Sequence, residues 1–154
     1  MIPEGLLLAA LPEHLLLLGI LTLLVIDLLS SRARDPLLPA LVAVAAAAVS
    51  AAWLAWTGHV AAPFPGHFSV DPEVFTAKAV LLGLSVPVLL LGREERLDSR
   101  FAMLVLASLY GAFLMLSGDS LIMLFFGIEV LSLPLYALVV LAYRRPQSAE
   151  AAMK

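Results

Sequence analysis

Five long apolar runs, separated by short polar segments, dominate the chain. Each run is close to the roughly 20 helical residues that cross about 30 Å of hydrocarbon. None alternates apolar and polar residues with a period of two, which argues against a membrane β-barrel. The pattern predicts an all-α membrane protein, a single transmembrane domain over residues 1–154, with five complete spans at about 12–30, 37–57, 73–91, 100–117 and 120–143.

The composition indicates that a bilayer is the solvent. Hydrophobic residues make up 62% of the 154 positions and charged residues only 14%, and the mean hydropathy is +1.04. A soluble domain is usually about half apolar and about a quarter charged, so a soluble enzyme is excluded. Cysteine is absent, and the three histidines, His14, His59 and His67, show no ligand spacing. We therefore expect no disulfide and no metal site.

Arginines mark alternate loops and predict the orientation of the spans. They follow the first span (Arg32, Arg34), the third (Arg93, Arg96, Arg100) and the fifth (Arg144, Arg145), whereas the other two loops hold neither Lys nor Arg. Loops rich in Lys and Arg stay in the cytoplasm. The N-terminus is therefore predicted outside, and residue 154 near the cytoplasmic side.

Two segments carry local signals about helix packing. The second span is rich in alanine over 41–52, and small side chains let helix backbones approach closely. This favours a helix packed against other helices, with a lipid-facing span as the alternative. Between the last two spans, Gly118 fits a helix C′ position and Asp119 an N-cap, which predicts a tight helical hairpin.

The last residues predict the start of a sixth span. Ser148 is a favourable N-cap, and Glu150 suits the first turn of a helix. Only 149–154 follow, and so short a segment does not form a stable helix alone. We therefore expect this chain to be the N-terminal part of a larger multi-pass subunit.

Glu129 lies in the middle of the fifth span, about 13 Å from its outer end along the helix. An ionised carboxylate in hydrocarbon is costly, so the group must be neutral, paired or hydrated. Ser132 and Tyr136 follow on the same face, and Pro134 leaves the carbonyl of Val130 without its helical donor. Such a backbone group must face protein or water. The stripe favours a proton-binding site, and a structural glutamate bonded to a neighbouring helix is the alternative.

The other charges near the spans are expected to be solvated. Lys78 is about five residues from the outer end of its span, so its ammonium is expected to reach the surface, with a functional role as the alternative. Asp27 lies near the inner end of the first span, where interfacial solvation is expected. Glu13 and His14 open that span; Glu13 complements the positive helix N-terminus, and neither residue is expected to have a functional role.

Several segments resemble subunit N of bacterial proton-pumping NADH-quinone oxidoreductase, respiratory complex I. They are Leu11-Pro-Glu13, Phe68-Ser-Val-Asp-Pro72, the run 118–129, Leu131-Ser-Leu-Pro-Leu-Tyr136 and the tail 144–154. The resemblance is specific only from about residue 117 onward. Other antiporter-like subunits share the buried glutamate, and the runs 131–136 and 148–154 favour subunit N. One departure is Gly118-Asp119, where the family often has an Asn-Asp pair.

Membership would imply an antiporter-like helix bundle of about fourteen spans, built from two inverted repeats of about five helices each. Glu129 would be the proton-channel carboxylate of the fifth span. Lys154, on the sixth, would pair with it and tune its protonation. The chain would hold no cofactor, because NADH, FMN, iron–sulfur clusters and quinone would be bound by other subunits. Its partners would be other membrane subunits of complex I and the bacterial inner membrane, with no nucleic acid.

The resemblance thus implies a role in proton translocation coupled to NADH oxidation and quinone reduction, with no redox chemistry in this chain itself. Two other interpretations stay open. A cation/proton antiporter subunit would share the buried glutamate but exchange sodium or potassium for protons without NADH. A non-catalytic membrane scaffold would use Glu129 only to bond one helix to another, and glutamine would then replace it with little loss.

Lys154→Ala in the full-length subunit is expected to impair NADH-driven proton pumping, but more mildly than loss of the Glu129 carboxylate. The reason is that the lysine would act indirectly, through the protonation of Glu129. The measurement is the pH–activity profile of membrane vesicles. We expect a displaced profile, and one that matches the wild type would count against the role.

Overall fold

The computed structural model describes residues 5–29, 35–94 and 99–141. A short helix α1 (Leu6–Ala9) precedes five long helices and a β-hairpin. The long helices are α2 (Leu11–Leu29), α3 (Leu37–Trp56), α4 (Pro72–Glu94), α5 (Ser99–Leu116) and α6 (Leu121–Leu141). All five are long and apolar enough to cross a membrane. They match the predicted spans to within a few residues, so the prediction of five transmembrane helices is confirmed.

A β-hairpin that was not predicted closes one end of the bundle, where α2, α4 and α6 begin; we call this the hairpin end. Strands β1 (Ala61–Phe64) and β2 (Phe68–Val70) pair antiparallel, and Gly66 adopts a positive φ of 78° in the turn between them. Left-handed backbone is accessible to glycine because it has no Cβ. Pro63 and Pro65 argue against a strand at the sequence level, because proline has no N–H group to donate to a neighbouring strand.

The turn between α5 and α6 differs from its prediction. Gly118 forms an antiparallel bridge with Phe68, and the N–H of Asp119 donates to the carbonyl of His67 at 3.0 Å. Asp119 is therefore not the N-cap. Ser120 takes that place, since its hydroxyl accepts from the N–H of Met123 at 3.3 Å. The predicted tight hairpin of α5 and α6 is present, since only four residues join the two helices. Pairing of Gly118 with β2 moves the cap one residue later.

The alanine-rich helix α3 packs against other helices, as its small side chains predicted. Its buried face includes Ala40, Ala43 and Ala47, which join a core shared by α2, α3, α4 and α5. On α2, Gly19 lies so close to this face that an added Cβ would overlap the Ala43 side chain of α3, and it would stand 3.0 Å from the Leu106 side chain of α5. Such close approach increases van der Waals contact, which drives helix association in lipid.

Helix α6 packs mainly on α5 through two glycines. A Cβ added to Gly111 would stand 2.6 Å from the carbonyl carbon of Val130, and one added to Gly127 would stand 2.9 Å from the backbone nitrogen of Met115. Backbone therefore meets backbone at this contact. The rest of α6 is the least covered of the five long helices, since Gly127 is its only fully buried residue and its other residues are partly buried or exposed.

Gly111→Ala is expected to destabilise the protein by about 1–3 kcal/mol, because the new methyl group must displace the backbone of α6. Gly83 offers a matched control, since an added Cβ there meets nothing within 4 Å. The measurement is the apparent Tm of the detergent-purified native protein. Equal Tm values for Gly111→Ala and Gly83→Ala would contradict the close contact.

Candidate functional site

Glu129 occupies the middle of α6, eight residues after Leu121 and therefore about 12 Å from the start of the helix. Its side chain is partly buried. Among the described residues, its carboxylate makes no ion pair and no hydrogen bond. A carboxyl group this far inside a span needs a partner, water or a proton.

The side chain of Glu129 projects from the uncovered face of α6. Gly127 faces α5, and residues two apart on a helix point about 200° apart. Glu129 is therefore directed away from α5.

The predicted polar stripe along α6 is present, but its hydroxyl groups do not contact the carboxylate. Ser132 donates to the backbone carbonyl of Glu129, at 3.4 Å, and the side chain of Tyr136 is exposed. Pro134 stands inside the helix as expected. The Val130–Leu131 peptide, whose carbonyl Pro134 cannot serve, lies against Gly111.

Lys154, the proposed partner of Glu129, lies outside the described residues, as does the predicted start of a sixth helix. The pairing of Lys154 with Glu129 therefore stays a prediction. Within the described part of the chain, no group of His, Asp and Glu side chains is arranged to hold a metal ion.

An ion pair at the hairpin end joins two residues that the sequence analysis assigned to the surface. The Lys78 side chain is fully buried, and its Nζ lies 2.5 Å from Oε1 of Glu13, which is 3% exposed. The prediction that the Lys78 ammonium reaches the surface is wrong. Side chains on a helix tilt toward its N-terminus, so the ammonium does point to the hairpin end, but it meets Glu13 of α2 before it reaches solvent.

Three aromatic rings surround the Lys78 ammonium. Phe68 of β2, Phe75 of α4 and Phe113 of α5 have ring centroids 5.8, 5.3 and 5.6 Å from Nζ. An ammonium within about 6 Å of a ring face is attracted by the ring quadrupole. The pair is thus enclosed by α2, α4, α5 and the hairpin, and its two charges tie α2 to α4.

A sequence signal for this pair did exist. Glu13 and Lys78 carry opposite charges, each stands inside an apolar run, and both runs begin on the same side of the membrane. What the sequence did not show is that α2 and α4 are brought close enough for the side chains to meet. Asp27, by contrast, is exposed near the end of α2, as expected for a solvated charge.

An apolar groove runs between α4, α5 and α6, with a volume of about 280 Å³. Its lining includes Ser85 and Ser108, whose hydroxyl groups donate to carbonyls of their own helices, Leu82 and Leu104. Neither hydroxyl is free to donate its proton elsewhere. The groove therefore lacks the polar lining of a proton path and is suited to lipid or an apolar helix.

Comparison with known proteins assigns a class to these helices. Residues 118–154, which contain the Ser120 cap, Glu129 and Pro134, match the family model described as NADH:quinone oxidoreductase/Mrp antiporter, TM. The fold and this match define a multi-pass membrane protein of the antiporter-like class.

Curated relatives narrow that class. NADH-quinone oxidoreductase subunit N of Laribacter hongkongensis is 34% identical over 154 residues, covering 96% of this chain and 32% of the relative. The subunit N of Halorhodospira halophila is 38% identical, covering 94% of this chain and 31% of the relative. NAD(P)H-quinone oxidoreductase subunit 2 of Prochlorococcus marinus is 31% identical, covering 95% and 30%. The chain spans about a third of the length of these relatives.

The resemblance predicted from the motifs is confirmed by these matches: the chain is a homologue of NADH-quinone oxidoreductase subunit N. Its relatives are, by their names, subunits of an enzyme that oxidises NADH and reduces quinone.

Lys78→Met is expected to destabilise the protein by about 3–5 kcal/mol, because it leaves the buried Glu13 carboxylate without its cation. The double variant Glu13→Gln with Lys78→Met removes both charges and is expected to recover most of the loss. The measurement is the apparent Tm of the purified native protein. Additive losses in the double variant would show that the two side chains do not interact.

Proposed function

We propose that this chain forms part of a membrane-arm subunit of NADH-quinone oxidoreductase and takes part in proton translocation across the membrane. The observation that carries the proposal is Glu129, a carboxyl group in the middle of a transmembrane helix, within the segment that matches the family model. An intramembrane ionisable group is by default a functional one.

Glu129 would act by taking up a proton at its carboxylate and releasing it again. Its position on the uncovered face of α6 suits this role, because a carboxylate directed at lipid would be too costly to keep. That face is therefore expected to be covered by protein and internal water. The hydroxyl group of Tyr136 lies along the same stripe and can orient water beside the carboxyl group. The Ser132 oxygen can only accept from such water, because its proton is donated to the backbone carbonyl of Glu129. Lys154 would hold a compensating charge that tunes its protonation.

The surroundings of the chain follow from the same proposal. We infer a bacterial inner membrane with the hairpin end outside, because Arg100 opens α5 at the opposite end and cytoplasmic loops are rich in Lys and Arg. Other membrane subunits of the complex would flank this chain. NADH, FMN, iron–sulfur clusters and quinone would be bound by other subunits, so this chain would perform no redox chemistry.

A cation/proton antiporter subunit is the second candidate, since the matching family model is described for Mrp antiporters as well. The same carboxyl group would then exchange protons against sodium or potassium. The two functions differ in their energy source. Only the first requires NADH oxidation, and only the second gives cation-dependent proton movement in vesicles without NADH.

Glu129→Gln is expected to impair NADH-driven proton translocation without preventing assembly, because the amide keeps the shape of the side chain but cannot carry the proton. The measurement is the proton-to-electron ratio of vesicles that contain the native complex. A wild-type ratio in Glu129→Gln would rule out the role and favour a purely structural glutamate.

Glu73→Gln is the matched control for this experiment. Glu73 lies in the first turn of α4, carries the same charge and is exposed. We expect its substitution to leave the proton-to-electron ratio unchanged. An equal loss in both variants would indicate a general effect of lowering the negative charge.

A further inference from the structure

The buried Glu13–Lys78 pair lies on the other side of α5 from the helix that carries Glu129. Phe113 faces Lys78, whereas Gly111 contacts α6. These two residues are separated by about 200° around α5. The pair is therefore distinct from the Glu129 face of α6.

Only one carboxylate oxygen of Glu13 has a protein partner in the described part of the chain. Oε1 accepts the hydrogen bond from Lys78, whereas Oε2 is buried without any hydrogen bond. A buried ionised oxygen without a hydrogen bond carries a desolvation cost in free energy, and ordered water usually supplies the missing hydrogen bond. Oε2 is therefore a buried acceptor that can take a further hydrogen bond.

Two more buried polar atoms border the same region and likewise have no hydrogen-bond partner among the described residues. They are Nε2 of His59 and Oγ of Ser117. The His59 ring contacts Phe75, one of the rings around Lys78, and the carbonyl of Ser117 accepts from the N–H of Ser69, next to Phe68. Internal water that serves several such atoms is common in proteins.

The aromatic rings allow the carboxyl group to change its charge. If Glu13 is neutralised, the Lys78 ammonium keeps the attraction of the Phe68, Phe75 and Phe113 rings. A buried ion pair without such rings would lose its Coulombic attraction in that event and keep only a hydrogen bond to the neutral carboxyl group. The ring cluster thus suits a cation that stays in place while its anion gains and loses a proton.

We propose that Glu13 is a second proton-binding site, loaded through internal water at Oε2, with Lys78 as its fixed counter-ion. On loading, an O–H bond forms at Oε2 and an O–H bond of a protonated water breaks; release is the reverse, and no electron moves. The ionisable groups that face the carboxyl group are Lys78 from α4 and Tyr110 from α5, with His59 beyond Phe75. The inference rests on the proposed function in that protons must cross the membrane through this protein.

The test compares proton translocation in vesicles of the native complex, driven by NADH, for wild type and the double variant Glu13→Gln with Lys78→Met. The double variant leaves no unpaired charge, so assembly is expected. We expect a loss in the proton-to-electron ratio of the same order as with Glu129→Gln. A wild-type ratio in the assembled double variant would overturn the inference and leave a purely structural ion pair.

Glu13→Asp decides the matter if the double variant does not assemble. It keeps both charges but withdraws the carboxyl group by one methylene, both from Lys78 and from the surroundings of Oε2. A displaced pH dependence of the ratio at normal assembly supports the proton site, because a purely structural pair would lower the ratio equally at every pH, and a wild-type ratio and pH dependence refute it. Glu129→Gln in the same vesicles separates the two proposals: a normal ratio there removes the role of Glu129, whereas normal ratios only in the Glu13 variants remove this inference alone.

Discussion

The ion pair between Glu13 and Lys78 organises the hairpin end of this bundle. Hydrocarbon offers a buried charge no partner, so an ionised Glu13 needs Lys78 in place, whereas Lys78 is held by Glu13 and by three rings. Their contact ties α2 to α4, and the rings that surround the ammonium add α5 and β2. Backbone hydrogen bonds from 67–69 to 117–119 then join the β-hairpin to the turn before α6. The helix that carries Glu129 therefore starts from a position set by this buried pair.

Two carboxyl groups inside the helices meet opposite surroundings. Glu13 is enclosed, with a cation and three rings beside it, whereas Glu129 stands on a face that the described helices leave open. The difference follows from packing: Gly111 and Gly127 bring α5 and α6 together on the side of α6 opposite to Glu129. A group directed out of the bundle is suited to interact with elements that pack on α6, and an enclosed group is suited to exchange only with internal water.

The lengths and ends of the five spans were predictable, because long apolar runs in a membrane protein leave little choice but helices. The packing of α3 was predictable from its alanines, because small side chains let helix backbones approach closely. The burial of Lys78 was not predictable from the sequence. Its long side chain can extend either to solvent or to Glu13, and only the proximity of α2 in the fold decides between the two. The hairpin was not predicted, because Pro63 and Pro65 disfavour a strand. Its pairing with Gly118 places the N-cap of α6 at Ser120 instead of Asp119. Sequence identified Glu129 as an intramembrane carboxyl group, but the face it occupies depended on the glycines of α5 and α6.

If Glu129 carries protons, its carboxyl group changes protonation state as the complex turns over. Infrared difference spectroscopy of the native complex, between its oxidised and NADH-reduced states, detects the C=O stretch of a protonated carboxyl group directly. We expect a carboxyl band in the wild type that is retained in Glu73→Gln and lost in Glu129→Gln. A spectrum of Glu129→Gln identical to the wild type in that region would contradict the role of Glu129 in proton translocation.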